Sequence, residues 1–378
     1  MIFSSATCNR VLCRLLFFAL MVLLVAGGTA RADGASCAYE GAKTTISAGH
    51  PTTLKRGVNL SDWWQDQQDQ GLDTDDIAKL RAFGFDFVRL PVSPQWPRLA
   101  DADARKEKLA QLRCDVIALL NAGLKVIVDL HPSNSFQETA AADPAQAAAK
   151  IAAVWRKLRP AIADLPASRV LIGLYNEPQD MKPAQWWRAQ GVLIKKLRAV
   201  FSRNTFVATA YKGEPWELIR QKPYADKNII YDFHFYEPMI LTHHGASWLP
   251  AGSPFRKTDR ITYPPKASDA AKTDDPDVRA YIAEGWDREK LAPDIDRVAV
   301  WQKHYHVHAA CLEFGAYRPY VDDQSRANWL RDVRSLVAGA GMPWALWDYT
   351  GGFGLLDADG RPDRGMVKAL GLRQNSAP

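Results

Sequence analysis

Short apolar runs rich in β-branched residues alternate with longer segments of helical periodicity along most of the chain. Such a run is typical of a buried strand, and apolar positions repeated every three to four residues are typical of a helix. The pattern predicts eight strands, at residues 56–60, 85–92, 124–130, 170–175, 205–210, 228–235, 306–314 and 343–349.

A helix is predicted after each of these strands, at residues 75–83, 106–122, 144–158, 183–202, 215–220, 288–305, 324–340 and 364–370. Eight βα units favour an α/β fold of the (β/α)8 TIM barrel type over an open doubly wound sheet. No Gly-x-Gly-x-x-Gly motif follows any predicted strand, which argues against a dinucleotide-binding protein.

One segment interrupts the alternation. Residues 239 to about 287, after the sixth predicted strand, are rich in Pro, Asp, Lys and Gly and contain no convincing strand. A loop insertion of this length is often a functional lid, and a disordered insertion is the alternative.

The first 32 residues have the form of a signal peptide. Two arginines precede an apolar run at 15–26, and Ala-Arg-Ala at 30–32 fits a signal-peptidase site. We therefore expect a signal peptide over 1–32, a single domain over 33–378, and a secreted or periplasmic protein. An uncleaved membrane anchor is the alternative.

Composition and charge narrow the choice of partners. With 378 residues, 47% hydrophobic and 24% charged, the chain is an ordinary globular protein. Loss of the leader's three arginines lowers the formal charge from +6 to about +3, which is too mild for a nucleic-acid-binding protein. We expect a monomer with no membrane contact after cleavage of the leader.

Three cysteines lie after the leader, namely Cys37, Cys114 and Cys311. An exported protein can form disulfides, so at most one bridge is possible, and the sequence does not choose the pair. The alternative for Cys114 and Cys311 is that each is a small buried hydrophobe.

Polar and aromatic residues mark the ends of six predicted strands. In a barrel of this type the loops after the strands build the active face, so these side chains converge on one rim. They are Arg89, Asp129, His131, Asn176, Glu177, His234, Tyr236, Glu237, Glu313 and Trp347.

Two of these residues, Glu177 and Glu313, are carboxylates that period-two alternation turns towards the barrel mouth. It places Glu177 with Tyr175, and Glu313 with Cys311. Pro178 favours an extended Glu177, whereas Asn176 needs a local twist or bulge to reach the same mouth.

Paired carboxylates at one mouth indicate hydrolysis of a glycosidic bond, in which one protonates the leaving oxygen while the other attacks the sugar or activates water. Arginine and histidine neighbours would give the two acids different protonation states. The aromatic side chains fit this interpretation, because sugar rings stack on indole.

The segments RGVNL, VRLPV, DLHP, YNEP, HFYEP, LEFG and ALWDY, the last followed by FGLLD, together resemble the cellulase-type glycoside hydrolases of family 5, a family of retaining (β/α)8 glycosidases. The resemblance covers residues from about 55 to 357. It rests on the order of the motifs and on their placement along successive strands.

The resemblance implies a role for each matched residue. Glu177 matches the general acid/base and Glu313 the nucleophile, which forms a covalent glycosyl-enzyme. The remaining matches are Asn176 at the sugar 2-hydroxyl, Arg89 and Tyr236 at the nucleophile, His131 and His234 in the polar wall, and Trp347 as the stacking platform.

Other residues are weaker candidates. Glu237 also precedes a proline at a strand end, but the family pattern favours Glu313 as the nucleophile. Glu138 and Glu214 are interpreted as solvated loop acids, and Asp129 as a structural partner of His131. In the first strand the sequence departs from the family pattern, since Ser-Asp-Trp-Trp-Gln follows RGVNL; one tryptophan of Trp63 and Trp64 is expected in the core and the other on the substrate.

No metal or other cofactor is expected. The adjacent pair His243-His244 and the group His304, His306 and His308 lack the spacing of a zinc site. Retaining glycosidase chemistry also needs no metal.

The sequence therefore predicts an exported retaining β-glycosidase acting on a β-glucan, most simply an endo-β-1,4-glucanase. A β-1,3-glucanase, a β-mannanase or a transglycosylase on the same scaffold is the alternative, because linkage choice lies in the loops. A barrel that only binds sugar is a further alternative, which the presence of both Glu177 and Glu313 argues against.

Overall fold

The computed structural model describes residues 37–41, 51–65, 72–95, 101–140, 143–357 and 359–373. The expected signal peptide lies outside the described residues. Among the described residues, no helix is both long enough and apolar enough to cross a membrane.

Eight parallel strands close into a barrel in chain order, with each strand paired to the next and the last paired to the first. The predicted (β/α)8 fold is therefore confirmed, and each predicted strand is present. The strands are β1 (Arg56–Asn59), β2 (Phe87–Val92), β3 (Lys125–Leu130), β4 (Val170–Gly173), β5 (Phe206–Thr209), β6 (Ile229–Phe235), β7 (His308–Phe314) and β8 (Trp344–Leu346).

Each predicted helix is also present, joined by shorter helices in the loops. Aspartates cap many of the N-termini by accepting backbone N–H groups; Asp101, for example, accepts from Asp103 and Ala104. The α helices are α1 (Ser61–Trp64), α2 (Thr74–Phe83), α3 (Ala102–Asn121), α4 (Asn134–Ala140), α5 (Pro144–Ile162), α6 (Pro183–Arg198), α7 (Pro215–Ile219), α8 (Met239–Thr242), α9 (Pro276–Glu284), α10 (Arg288–Tyr305), α11 (Asp323–Gly339) and α12 (Arg364–Ala369).

The core has two layers, as alternation along barrel strands requires. A small inner cluster fills the barrel with residues that come mainly from the strands, such as Phe87, Leu171 and Leu312. A larger outer cluster packs the other strand faces against the helices. The inner cluster closes the barrel below the mouth, so chemistry is confined to the strand ends and their loops.

The segment 239–287 contains no strand, as predicted, although Ile261 forms an isolated bridge with Val321. It consists of α8, a 3₁₀ turn at Ala267–Lys272 and α9. Its residues Tyr263 and Tyr281 are buried, at 2% exposed each. The segment therefore packs onto the barrel, which argues against the alternative of a disordered insertion.

Cys37 and Cys114 form a disulfide that joins the segment before β1 to α3, with their Cα atoms 5.2 Å apart. Cys311 on β7 is free and buried. The interpretation as a small buried hydrophobe is therefore confirmed for Cys311 and wrong for Cys114.

Removing this disulfide should lower stability. The bridge closes a sequence separation of 77 residues, and its loss restores conformational freedom to the unfolded chain, so Cys114→Ala should cost about 2–4 kcal/mol of unfolding free energy. Calorimetry with and without dithiothreitol checks this expectation. Reductant should lower the Tm of the wild type and of Cys311→Ala but leave that of Cys114→Ala unchanged; a wild-type Tm insensitive to reductant would contradict the disulfide.

Candidate active site

The carboxyl ends of the strands open into a cleft of about 750 Å³. Both predicted carboxylates, Glu177 and Glu313, line it, and so do four of the other predicted site residues: His131, His234, Tyr236 and Trp347. Two more, Arg89 and Asn176, are buried and hydrogen-bonded to these groups, at 0% and 4% exposed. The structure thus brings together all the predicted site residues except Trp63 and Trp64.

Glu313 reaches the cleft through an irregularity in β7. The register pairs Phe233 with Cys311 and His234 with Glu313, so Leu312 is an extra residue in the ladder. Cys311 packs in the outer cluster and Leu312 in the inner one. The prediction that Cys311 and Glu313 share a face is wrong, because this β-bulge turns Glu313 back towards the mouth.

Glu177 lies beyond the end of β4, which stops at Gly173. Its φ is +36°, in the left-handed region that residues other than glycine rarely occupy. The expectation that Pro178 holds Glu177 extended is therefore wrong. Strained backbone of this kind concentrates at functional positions, and here it leaves 40% of the Glu177 side chain exposed to the cleft.

Alternation also fails between β4 and Glu177. Tyr175, predicted to share a face with Glu177, instead packs outside the barrel, with its ring centroid 5.3 Å from that of Trp186. Asn176 turns inward, and its Nδ2 lies 3.1 Å from Nε2 of His131. The local irregularity that Asn176 required is present, and it places two consecutive polar side chains at one site.

Arg89 is a fully buried cation that links several strand ends. Nη1 donates to Oε1 of Glu313 at 2.5 Å and to Oδ1 of Asn59 at 3.0 Å. Nη2 donates to Oδ1 of Asn176 at 2.6 Å and forms an ion pair with Oδ2 of Asp129 at 3.0 Å. Burial alone would lower the pKa of Arg89, but the neighbouring carboxylates together raise it, so the guanidinium stays charged.

His234 lies between the two glutamates. Its Nδ1 is 2.6 Å from Oε1 of Glu177 and 3.5 Å from Oε2 of Glu313, and its Nε2 is 3.2 Å from Oδ2 of Asp232. Burial alone would lower the pKa of His234, but Glu313 and Asp232 raise it well above its usual value. Burial likewise favours protonation of Glu177, but the hydrogen bond and charge of His234 lower the pKa of Glu177. An imidazolium and a carboxylate therefore share one proton here.

The two glutamates are close enough to act on one bond. One oxygen of Glu177, one oxygen of Glu313 and one nitrogen of His234 lie within 4.8 Å of one another. Carboxyl groups of retaining glycosidases lie about 5–5.5 Å apart, and those of inverting ones about 6.5–9.5 Å apart. One pair of oxygens within 4.8 Å is compatible with the separation found in retaining enzymes.

Tyr236 and Trp347 complete the walls around Glu313. The Tyr236 hydroxyl donates to Oε2 of Glu313 at 3.0 Å. Burial, followed by the negative charges of the nearby glutamates, raises the pKa of Tyr236 well above its usual value, so the hydroxyl remains a donor. The Trp347 indole stacks on the His131 ring, with centroids 5.6 Å apart, and presents an aromatic surface in the cleft.

The two tryptophans after β1 do not line the cleft. Trp64 is 5% exposed, and its Nε1 donates to Oδ2 of Asp115 at 2.9 Å, so it is the expected core tryptophan. Trp63 packs on Tyr349 with ring centroids 6.1 Å apart. The structure therefore brings neither ring of the predicted pair to the cleft, and Gln65 lines it instead.

Other cleft residues were missed from the sequence, and most lie in the loops that follow β4, β5, β6 and β8. The signal that could have found most of them is position after a strand, and Phe353 also begins the quoted segment FGLLD. They are Gln179, Lys212, Trp216, Met239, Trp248 and Phe353. Trp248 is 56% exposed and belongs to segment 239–287, which thus forms part of the cleft wall.

Glu214 is not the solvated loop acid that the sequence suggested. It lines the cleft, and burial, followed by the charges of Glu237 and Glu177, raises its pKa to about 7. Glu237 lines the same wall, and burial raises its pKa as well. The cleft therefore holds two further carboxyl groups with raised pKa values beside Glu177 and Glu313.

His243 and His244 are engaged separately rather than as a metal-binding pair. His243 lines the cleft with Nδ1 3.0 Å from Oγ1 of Thr242, and burial lowers its pKa to about 4. The ring nitrogens of His244 bind the carbonyl oxygens of Ile240 and Asp259, at 3.0 and 2.5 Å. His244 thereby ties the two ends of one loop within segment 239–287.

A side chain at Gly173 should disturb this site from below. A Cβ atom there would lie 2.2 Å from Oδ1 and 2.9 Å from Cα of Asp129, so Asp129 would shift and weaken its ion pair with Arg89. We expect Gly173→Ala to cost about 1–3 kcal/mol of unfolding free energy and to lower kcat about 100-fold. Urea unfolding and initial rates check this. Gly252→Ala, where a Cβ meets open space, is the control, and a Gly173→Ala variant equal to that control would contradict the packing argument.

Comparisons with known proteins agree with the geometry. The sequence profile of the family described as Cellulase (glycosyl hydrolase family 5) matches residues 45–352. The chain is 26% identical to Endoglucanase 3 of Fibrobacter succinogenes over 359 residues, which is 84% of this chain and 53% of that protein. It is 25% identical over 321 residues to Endoglucanase C of Acetivibrio thermocellus, which is 79% of this chain and 91% of that protein. The chain thus spans about half the length of one of these relatives and most of the other.

A solved structure shows the same fold. It is a hyperthermophilic endo-β-1,4-glucanase in complex with substrate, which superimposes with a TM-score of 0.69 at 23% identity. The match covers 86% of this chain and 97% of that one.

Proposed function

The chain belongs to the cellulase family, glycosyl hydrolase family 5, and from this membership we propose that it is a retaining β-glycosidase that cleaves internal β-1,4 bonds of a cellulose-like β-glucan. The observation that carries the proposal is the approach of Glu177 and Glu313 across the cleft, with one oxygen of each within 4.8 Å of the other. The neighbours of each carboxylate support different roles for the two.

In the first step, Glu313 is the nucleophile. Its two oxygens receive hydrogen bonds from Arg89 and Tyr236, which hold the carboxylate for attack on the sugar C1. As the C1–oxygen bond breaks, Glu177 gives its proton to the leaving oxygen. The products of this step are a sugar ester on Glu313 and a shorter glucan with a free 4-hydroxyl.

In the second step, water replaces the leaving chain. Glu177, now a carboxylate, takes a proton from that water, whose oxygen attacks C1 and releases Glu313. Two displacements restore the β configuration. In this mechanism Asn176, which accepts a hydrogen bond from Arg89 and lies next to His131, holds the sugar 2-hydroxyl, and Trp347 of the cleft stacks beneath the ring.

The cleft supports action on a long chain. Aromatic side chains line the cleft in the loops after β5, β6 and β8, in Trp216, Trp248 and Phe353. Rings spread along a cleft bind successive sugars, which suits cleavage within a polysaccharide better than removal of one end unit.

We also propose that the protein is exported and acts as a monomer. The disulfide between Cys37 and Cys114 supports an oxidising compartment, because such bonds are rare in a reducing cytosol. This agrees with the signal peptide expected over residues 1–32.

A product profile tests the proposed function. Barley β-glucan, carboxymethyl cellulose, laminarin and mannan should be compared as substrates, with proton NMR recording the first anomer released. We expect a rapid fall in the viscosity of β-1,4 glucans and initial release of the β-anomer. Dominant cleavage of mannan or laminarin would show that the substrate is not a β-1,4 glucan. Initial release of the α-anomer would overturn the retaining mechanism. If none of the four polysaccharides were cleaved, a sugar-binding barrel would be favoured.

A further inference from the structure

Asp232 is a buried carboxylate to which the mechanism above gives no role. It lies on β6 two residues before His234 and is 0% exposed. Its Oδ2 is 3.2 Å from Nε2 of His234 and 3.3 Å from Oγ1 of Thr209, and its Oδ1 accepts the Leu312 backbone N–H at 3.1 Å. These contacts connect Asp232 to the histidine between the two glutamates and to the bulge that aims Glu313.

We propose that Asp232 is a positioning residue that orients His234 and keeps on its imidazole the proton that Glu177 delivers to the leaving oxygen. This inference rests on the proposed role of Glu177 as the acid. The three side chains form a line in which N···O distances of 3.2 and 2.6 Å join Asp232 to His234 and His234 to Glu177.

These two hydrogen bonds define the path of the proton. A carboxylate accepts at each ring nitrogen, so Nε2 and Nδ1 of His234 are both donors. Glu177 passes the proton that it shares with Nδ1 of His234 to the leaving oxygen, which leaves Glu177 a carboxylate and the imidazole neutral, with its Nε2–H donating to Asp232. The water that completes the second step returns one proton to the pair, which restores the starting charge.

The charges around His234 explain why an imidazolium there needs Asp232 in addition to Glu177 and Glu313. Burial disfavours an imidazolium, so a buried one persists only beside compensating carboxylates. Arg89, whose positive charge opposes it, is hydrogen-bonded to Glu313. The charged or titratable side chains that interact with His234 or with Glu177 include Arg89, His131, Glu214, Asp232, Tyr236, His243 and Glu313. Of these, Asp232 is the acid that binds the ring nitrogen facing away from the cleft.

Asp232 also holds the β7 bulge. Its Oδ1 accepts the N–H of Leu312, the extra residue in the β6–β7 register. The Asp232 side chain thereby fixes both His234, which donates to Glu177, and the bulge that aims Glu313. A purely structural role would explain only the contact with Leu312. The test must therefore distinguish retention of the proton on His234 from support of the fold.

The wild-type enzyme gives the first test. Nitrogen-15 NMR of His234, assigned by comparison with His234→Gln, should show both ring nitrogens protonated at pH 7. A singly protonated His234 at that pH would overturn the proposal. This readout does not depend on activity, so it separates the proposal from any failure of the proposed function.

The second test is the pH dependence of kcat/KM for cellotetraose in Asp232→Asn. The amide keeps the size and one acceptor but removes the charge, so the shared proton should be lost at lower pH, and the alkaline limb should move down by about one unit. On 2,4-dinitrophenyl β-cellobioside, whose leaving group needs no proton, kcat/KM should change less than about threefold.

Thr209→Val is the matched control, since it removes a hydrogen bond to the same Oδ2 and leaves the charge. It should keep the wild-type alkaline limb. An unmoved limb in Asp232→Asn, or an equal loss on both substrates, would show that Asp232 only supports the fold and would overturn the proposal. If Asp232→Asn does not fold, the protonation of wild-type His234 decides.

Discussion

Glu313→Gln should lower kcat/KM on soluble β-glucan by at least about 10⁴-fold, because an amide cannot form the glycosyl ester on which both steps depend. The variant should still fold, since the amide has nearly the same size and keeps one acceptor oxygen for Arg89 Nη1, while its NH2 replaces the oxygen that accepts from the Tyr236 hydroxyl. Thermal unfolding and initial rates measured on the same preparation separate the two effects.

Glu237→Gln is the matched control for this loss. Glu237 also stands at a strand end before a proline and lines the same cleft, but Arg89 binds Glu313 rather than Glu237. We expect Glu237→Gln to retain activity to within about tenfold. If Glu237→Gln were the inactive variant and Glu313→Gln the active one, the nucleophile would have been assigned to the wrong strand.

A smaller side chain identifies the role of Glu313 directly. Glu313→Gly leaves room for azide on the face from which the carboxylate attacks, so azide and 2,4-dinitrophenyl β-cellobioside should give α-cellobiosyl azide. One displacement in place of two inverts the configuration. Formation of the β-azide by this variant would contradict the assignment.

The sequence predicted the barrel because each strand and helix carries its own periodicity. Boundaries were less accurate: α3 begins at Ala102 rather than at 106, since the cap at Asp101 adds a turn before the apolar pattern starts. In the same way, β8 is limited to Trp344–Leu346, although its apolar run is longer. Local pattern thus fixes the kind of element, and its contacts fix the length.

The residues of the site could be predicted from the sequence, but the backbone conformations that turn their side chains towards the barrel mouth could not. Strict alternation fails at Glu177 and at Glu313 for separate reasons, a left-handed backbone in one and a bulge in the other. Both depend on partners distant in sequence, such as the Asp232 side chain that binds the bulge. Glu214 was misjudged likewise, since its burial comes from the folded cleft and not from its loop.

Glu177→Ala should affect substrates according to their leaving groups. Cellotetraose needs a proton on the departing oxygen, so its kcat/KM should fall about 10³- to 10⁴-fold. On 2,4-dinitrophenyl β-cellobioside the first step needs no acid, so kcat/KM should stay within about tenfold of wild type. The second step still lacks its base, so kcat and KM should fall together as the glycosyl-enzyme accumulates.

Azide distinguishes this variant from the Glu313 series. In Glu177→Ala the nucleophile is intact, and azide should attack the glycosyl-enzyme from the side that water normally uses. The product should be β-cellobiosyl azide, with kcat rising as azide is added. Together with α-azide from Glu313→Gly, this result would assign the two carboxylates to opposite faces of the sugar. Equal losses on both substrates, or no response to azide, would remove Glu177 from the role of acid and base and leave it a supporting partner of His234.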